Sequence, residues 1–255
     1  APSTTLRVVP LPVPGRMGAG CAGMAWCGNA CPLAWVRAHG ARPRVMITID
    51  QSAPLEPGFH GVAAGDLACV VTALEMRAPP EGLRRLAPEA DVPLQLVRWK
   101  DTSAAKYRML YRRVGAPWLW WSRLAKDDAE LEAIIQDAQV QLFAVADRAG
   151  VEVGLLELDF RVSGECEIAF FGLIPGATGK GLGKWLMRRA LQLAWAPGVA
   201  RVWVHTCTLD GPQALPFYMG QGFAPYARFV EVFPDPRLAG VLPEEAAPQQ
   251  PVIRP

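Results

Sequence analysis

No carboxylate occurs before Asp50, although the first 49 residues hold five arginines. Without that segment the small net charge of +2 becomes a small net negative one. The basicity therefore gives no argument for a body that binds nucleic acid. Close C-x2-C pairs are absent as well. Cys21, Cys27 and Cys31 with His39 follow a C-x5-C-x3-C-x7-H spacing that common structural zinc sites do not use, so no metal is expected. Cys69, Cys166 and Cys207 are scattered, which suits a reducing compartment and a cytoplasmic location. A membrane-spanning run is missing too. The uncharged stretch 17–36 is interrupted by Gly18, Gly20, Gly23, Gly28, Asn29 and Pro32, so no membrane partner is expected. Internal repeats are not found.

What is present describes a folded chain. Its 255 residues are 51% apolar, enough to bury a sizeable core in one domain or at most two, and too apolar for disorder. The 24 glycines and 24 prolines are unevenly spread. Residues 1–45 are expected to be an irregular or disordered extension, with Met46 a natural alternative start of translation. Residues 46–91 are expected to add an edge strand through the β-rich run Ala68–Met76. Residues 92–233 form the body, and 234–255, with six prolines, an irregular tail.

Within the body, Gln95–Trp99 reads as a strand. Thr102 is a plausible N-cap for a helix reaching Val114, with Tyr107, Leu110, Tyr111 and Val114 at helical spacing. A second helix is expected from Lys126 or Asp127 to about Asp137. Three strands follow, at Gln141–Ala146, Glu152–Phe160 and Glu165–Ile174. Their short glycine-bearing connections predict antiparallel neighbours. Then come a glycine-rich loop (Pro175–Gly183), a helix from about Gly181 to Trp195, a strand Arg201–Thr208, a helix Pro212–Gly220 and a strand Phe223–Phe233. The order predicts an α/β (α+β) fold with a mixed sheet.

The glycine-rich loop carries the functional signal. Between a strand and a helix, Gly179, Gly181 and Gly183 let backbone approach an anion, and the helix's unpaired N–H groups attract negative charge. A Walker loop is excluded, because Thr178 and Trp185 stand where it needs glycine and a hydroxyl. A dinucleotide fingerprint from Gly179 fails at Lys184.

Phe170–Trp195 resembles the acetyl-CoA-binding motif of the GNAT N-acetyltransferases, [RQ]-x-x-G-x-[GA]. Val204-His205-Thr206, followed by Ala214–Phe223 with its aromatic-tyrosine pair and closing Gly222-Phe223, resembles that family's second motif. The resemblance covers roughly residues 92–233. It implies a mostly antiparallel central sheet flanked by helices, with the fourth and fifth strands splayed apart at the CoA site. It further implies an acyltransferase that moves acetyl from acetyl-CoA to a primary amine by direct attack. Two positions depart from the pattern: Thr178 replaces the usual Arg or Gln, and Gly211 a frequent Asn. These departures favour the alternative of a non-catalytic acyl-CoA-binding or regulatory module. Members of the family often form homodimers, although no residue here demands one.

The resemblance also implies roles. Thr178, Gly179, Lys180, Gly181, Leu182, Gly183 and Lys184 would cradle the pyrophosphate. The backbone N–H of Leu173 would face the thioester carbonyl, Glu167 would be the general base, and Tyr218 would protonate the leaving thiolate. Strand alternation puts Glu165, Glu167, Ala169 and Phe171 on one face. Glu157 and His205 are rival bases. Trp118, Trp120 and Trp121 could line an acceptor pocket or pack, and Asp127, Asp128 and Glu130 could hold a cationic acceptor or serve a helix N-terminus. The acceptor itself is not encoded legibly.

Overall fold

The computed structural model describes residues 54–83, 92–177 and 181–255. The expected extension, the Cys21, Cys27, Cys31 and His39 set, and Met46 lie outside them. Seven strands form one sheet: β1 (Asp66–Met76), β2 (Leu94–Trp99), β3 (Val140–Asp147), β4 (Glu152–Asp159), β5 (Glu165–Leu173), β6 (Arg201–Cys207) and β7 (Ala224–Pro234). Their order is β2-β3-β4-β5-β6-β1-β7. All neighbours run antiparallel except β5 and β6.

Four α-helices cover the sheet: α1 (Ala104–Gly115), α2 (Asp128–Ile135), α3 (Leu182–Ala194) and α4 (Ala214–Gly220). α1 and α2 pack on one face, where Tyr107, Tyr111, Val114, Leu131 and Ile135 meet Leu142, Ala144 and Leu155. On the opposite face Leu186, Met187, Ala190 and Leu191 of α3 and Tyr218 of α4 meet Val145, Leu156, Ile168 and Val204. The helix spacing read from the sequence produces these stripes. The N-cap of α1 is Ser103 rather than Thr102, since the Ser103 side chain accepts from Lys106 N–H. Asp127 and Glu130 close a capping box on α2.

The strand expected at an edge is not there. β1 lies between β6 and β7, paired along both sides. Its residues Val71, Thr72, Ala73, Leu74 and Met76 are buried, and a strand apolar on both faces belongs inside a sheet. The edge is β7, whose Tyr226, Arg228, Val230 and Val232 are exposed. After β1, Leu83 lies against the α3 face, where Gln192 Nε2 donates to Leu83 O at 3.2 Å.

The proline-rich tail has no helix or strand beyond Pro234, yet it is packed. Leu242, Ala246 and Ala247 join Cys69, Val71, Leu119 and Leu209 in a third apolar cluster. Arg237 and Asp235, both buried, pair at 2.7 Å, and Arg237 also donates to Gln250 O at 2.8 Å. Among the described residues no helix is long and apolar enough to cross a membrane.

Candidate active site

β5 and β6 pair over three residues only, Glu165↔Arg201 to Glu167↔Trp203, although both strands continue. Beyond that point the sheet is open. At the far end of β5, Ile174 N–H donates to Val153 O of β4 at 2.9 Å. Successive strand N–H groups point to opposite edges, so the Leu173 N–H faces the opening. Its side chain is buried in the α3-side core and does not compete for that space.

A register shift opposite Glu157 and Leu158 places a bulge in β5 at Ala169, because Ile168 pairs with Leu158 while Phe170 pairs with Glu157. The bulge breaks the expected alternation. Phe171 does not share a face with Glu167: it turns to the α3/α4 side and contacts Phe217 and Tyr218. Phe170 turns to the α1 side, against Tyr111 and Trp120. Gly172 is required there, since a Cβ would stand 2.7 Å from Val114 Cγ1.

Across the opening lies the start of α3. Gly181 caps it at φ 75°, a left-handed conformation that favours glycine, with no side-chain bond to the first turn and no acid in it. Among the described residues no side chain caps the N–H groups of Leu182 and Gly183, which are therefore available to an anion. Lys184 is exposed beside them, while Thr178, Gly179 and Lys180 lie outside the described residues. A phosphate-bearing ligand fits this donor set, and an extended arm fits the parted strands.

Tyr218, on α4, is buried among Phe171, Phe217 and Phe223. Burial and then the Asp210 charge push its phenol well above the ordinary tyrosine range. It therefore remains protonated, and can donate a proton but not accept one. Asp210 is fixed by Thr206 Oγ1 at 2.6 Å and the Cys207 N–H at 3.0 Å.

The sequence profile of the Acetyltransferase (GNAT) family matches residues 107–223, which include β3 to α4 and this whole opening. Residues 107–223 are thus matched as a GNAT acetyltransferase domain. No curated protein matches it. Solved structures similar to it include a GCN5-related N-acetyltransferase from Kribbella flavida, at 21% identity and TM-score 0.44, covering 69% of this chain and 63% of that one. Another, from Sphaerobacter thermophilus, has 16% identity and TM-score 0.49, covering 68% and 53%. A functionally unknown protein from Staphylococcus epidermidis has 15% identity and TM-score 0.47, covering 67% and 64%. The chain thus spans less than two thirds of the length of these structures.

The GNAT domain separates the three candidate bases. Glu157 is fully buried, accepting from Tyr107 Oη at 2.5 Å and Arg123 Nη2 at 2.6 Å. On β4, one strand in from the opening, it forms a buried internal ion pair with Arg123. Glu167 stands at the last paired position of β5, partly exposed, with Oε1 3.4 Å from His205 Nδ1 on β6. Burial opposes charge on His205. The Glu167 contact, together with the charges of Asp210 and Glu231, outweighs it and raises the imidazole's pKa.

The aromatic run of the GNAT domain mostly packs. Trp120 contacts Tyr111 and Phe170, and Trp121 stacks on Phe233 at 5.5 Å. Trp118 lies over Gly211, where a Cβ would come 3.2 Å from its ring. Any side chain there, Asn included, would have to displace it. Asp128 pairs with Arg108, so with the Asp127–Glu130 capping box these acids are occupied structurally. Sequence reading missed Arg123 and Asp210. No local pattern marks either, because each acquires its role from partners on other elements.

Proposed function

We propose that the protein is an N-acetyltransferase that moves acetyl from acetyl-CoA directly to a primary amine. The observation that carries this reading is the opening between β5 and β6, and it is supported by the uncapped start of α3 and by Tyr218 of α4, which packs on Phe171 of β5. Gly181, Leu182, Gly183 and Lys184, with Thr178, Gly179 and Lys180, hold the pyrophosphate through backbone donors and positive charge. The pantetheine arm runs between the parted strands.

The Leu173 N–H opposes the charge that develops on the carbonyl oxygen, worth about 2.7–4 kcal/mol for one aligned donor. As the C–N bond forms, the attacking nitrogen sheds a proton toward Glu167, which supplies the negative charge on the basic side. As the C–S bond breaks, Tyr218 gives its proton to the sulfur. A proton returned from the basic side through solvent resets the phenol. No covalent enzyme intermediate is needed, and Cys207 serves in packing between β1 and β6. The free thiols Cys69, Cys166 and Cys207 support a cytoplasmic location.

The second reading, a module that binds acyl-CoA without turnover, draws support from Thr178 and Gly211. Thiol release from acetyl-CoA with a panel of amines separates the two. Transfer requires turnover in the wild type and a loss of roughly 10²–10⁴-fold in Tyr218→Phe and in Glu167→Gln. Unchanged rates in both variants overturn the residue roles. Tight CoA binding with no turnover identifies the module.

A further inference from the structure

Distance along β5 separates Glu167 from the transfer point. Leu173 is six residues farther along the strand, which at about 3.3 Å per residue is roughly 20 Å, reduced somewhat by the bulge at Ala169. A glutamate side chain cannot cover that span by itself. His205 narrows it to roughly 13 Å, a gap that solvent bridges. It stands on β6 two residues beyond Trp203, the partner of Glu167, and so about 6.6 Å farther toward the open end on the same face. Nδ1 of His205 is buried, with no partner other than the Glu167 carboxylate at 3.4 Å. The side chain as a whole is 35% exposed, so its accessible edge is the one bearing Nε2.

We propose that His205 Nε2 is the atom that takes the amine's proton, with Glu167 as the positioning residue that holds the imidazole through Nδ1–H. This rests on the acetyl-transfer reading above and deepens it. A carboxylate on Nδ1–H fixes the tautomer that leaves the Nε2 lone pair outward, and it stabilises the imidazolium once formed. The charged groups facing the ring favour the same outcome. Glu167 comes from β5, Asp210 from the turn after β6 and Glu231 from β7. β1 presents the uncharged Ala73 opposite it. The guanidinium of Arg201 on the same strand is held by Glu75 and Glu165. In the transfer step the amine nitrogen bonds to the carbonyl carbon and its proton passes through solvent to Nε2. The C–S bond breaks, and the thiolate takes the Tyr218 proton. Imidazolium then returns a proton to the phenolate through solvent.

The test combines NMR titration of the His205 imidazole with the pH dependence of kcat/KM, in wild type, Glu167→Gln, His205→Asn and His205→Gln. Asn keeps a donor toward Glu167 but lacks Nε2. Gln is the second variant should Asn fail to fold, and CoA affinity reports that each is intact. Wild-type kcat/KM should rise with pH through an inflection above the ordinary histidine value of about 6.5. The NMR titration should show the same inflection. Glu167→Gln should lower both together. His205→Asn should abolish the inflection and cut kcat by roughly 10²–10⁴-fold with CoA affinity unchanged. A His205 variant that keeps the wild-type rate and profile overturns the proposal, as does a His205 titration that Glu167→Gln leaves in place. Absence of turnover in the wild type with every amine instead overturns the transfer reading, and the NMR titration still decides whether Glu167 and His205 are coupled.

Discussion

Replacing Arg123 by Met would isolate a buried carboxylate. Glu157 is fully buried on β4, and its two partners are Arg123 Nη2 at 2.6 Å and Tyr107 Oη at 2.5 Å. The guanidinium also lies over the Phe170 ring, 5.1 Å from its centroid. Methionine preserves the apolar contact with Phe170 but removes the charge. Taking one member from a buried pair typically costs about 3–5 kcal/mol, because the remaining charge loses its compensation. For a domain of this size that is a fall in Tm on the order of 10 °C. Adding Glu157→Leu to Arg123→Met removes the stranded charge. What then remains is an unpaired Tyr107 hydroxyl, about 1–3 kcal/mol. The double variant should therefore be more stable than Arg123→Met alone, by about 2 kcal/mol. Urea denaturation followed by tryptophan fluorescence, with CD as a second probe, measures all three. A loss below about 1 kcal/mol in Arg123→Met, or a double variant less stable than the single, would refute the account of Glu157 as an ion-paired structural residue.

Gly181→Ala forces a left-handed residue to carry a Cβ and should cost about 1–2 kcal/mol of stability. It should also weaken CoA binding in calorimetry, since the cradle begins there. Asp235 is buried, and although desolvation raises its pKa, the Arg237 hydrogen bonds and charge bring it below the ordinary carboxylate value. A depressed folded-state pKa means stability present above the unfolded value and lost as pH falls through the folded one. Unfolding free energy should thus decline below about pH 4. Arg237→Met should lower stability at neutral pH and flatten that acid limb, as urea titrations from pH 3 to 7 would show.

Much of the fold was legible because helices and hairpins announce themselves locally. The stripes of α1 and α3, the β3–β4–β5 meander and the glycine-rich approach to α3 depend on spacings of a few residues. The place of β1 was not local information. Read as an edge strand from the sequence, β1 is interior only because it pairs with β6 and β7, more than 120 residues away. The bulge at Ala169 was equally silent. One extra residue in β5 reverses the direction of every side chain after it, so Phe171 joins Tyr218 instead of Glu167.

The sequence by itself determined the acid-free first 49 residues, the element order, the anion-seeking loop and the resemblance that assigned Tyr218 and Leu173 their roles. Tertiary structure alone decided which carboxylate is held in a buried ion pair and which stands beside the opening. Glu157 and Glu167 are both acids on neighbouring strands of one sheet. One is turned inward onto Arg123, and the other reaches His205 where β5 and β6 part. The physical reason is that a carboxylate's chemistry is set by its neighbours, and those neighbours are brought together by strand pairing between residues far apart in the chain.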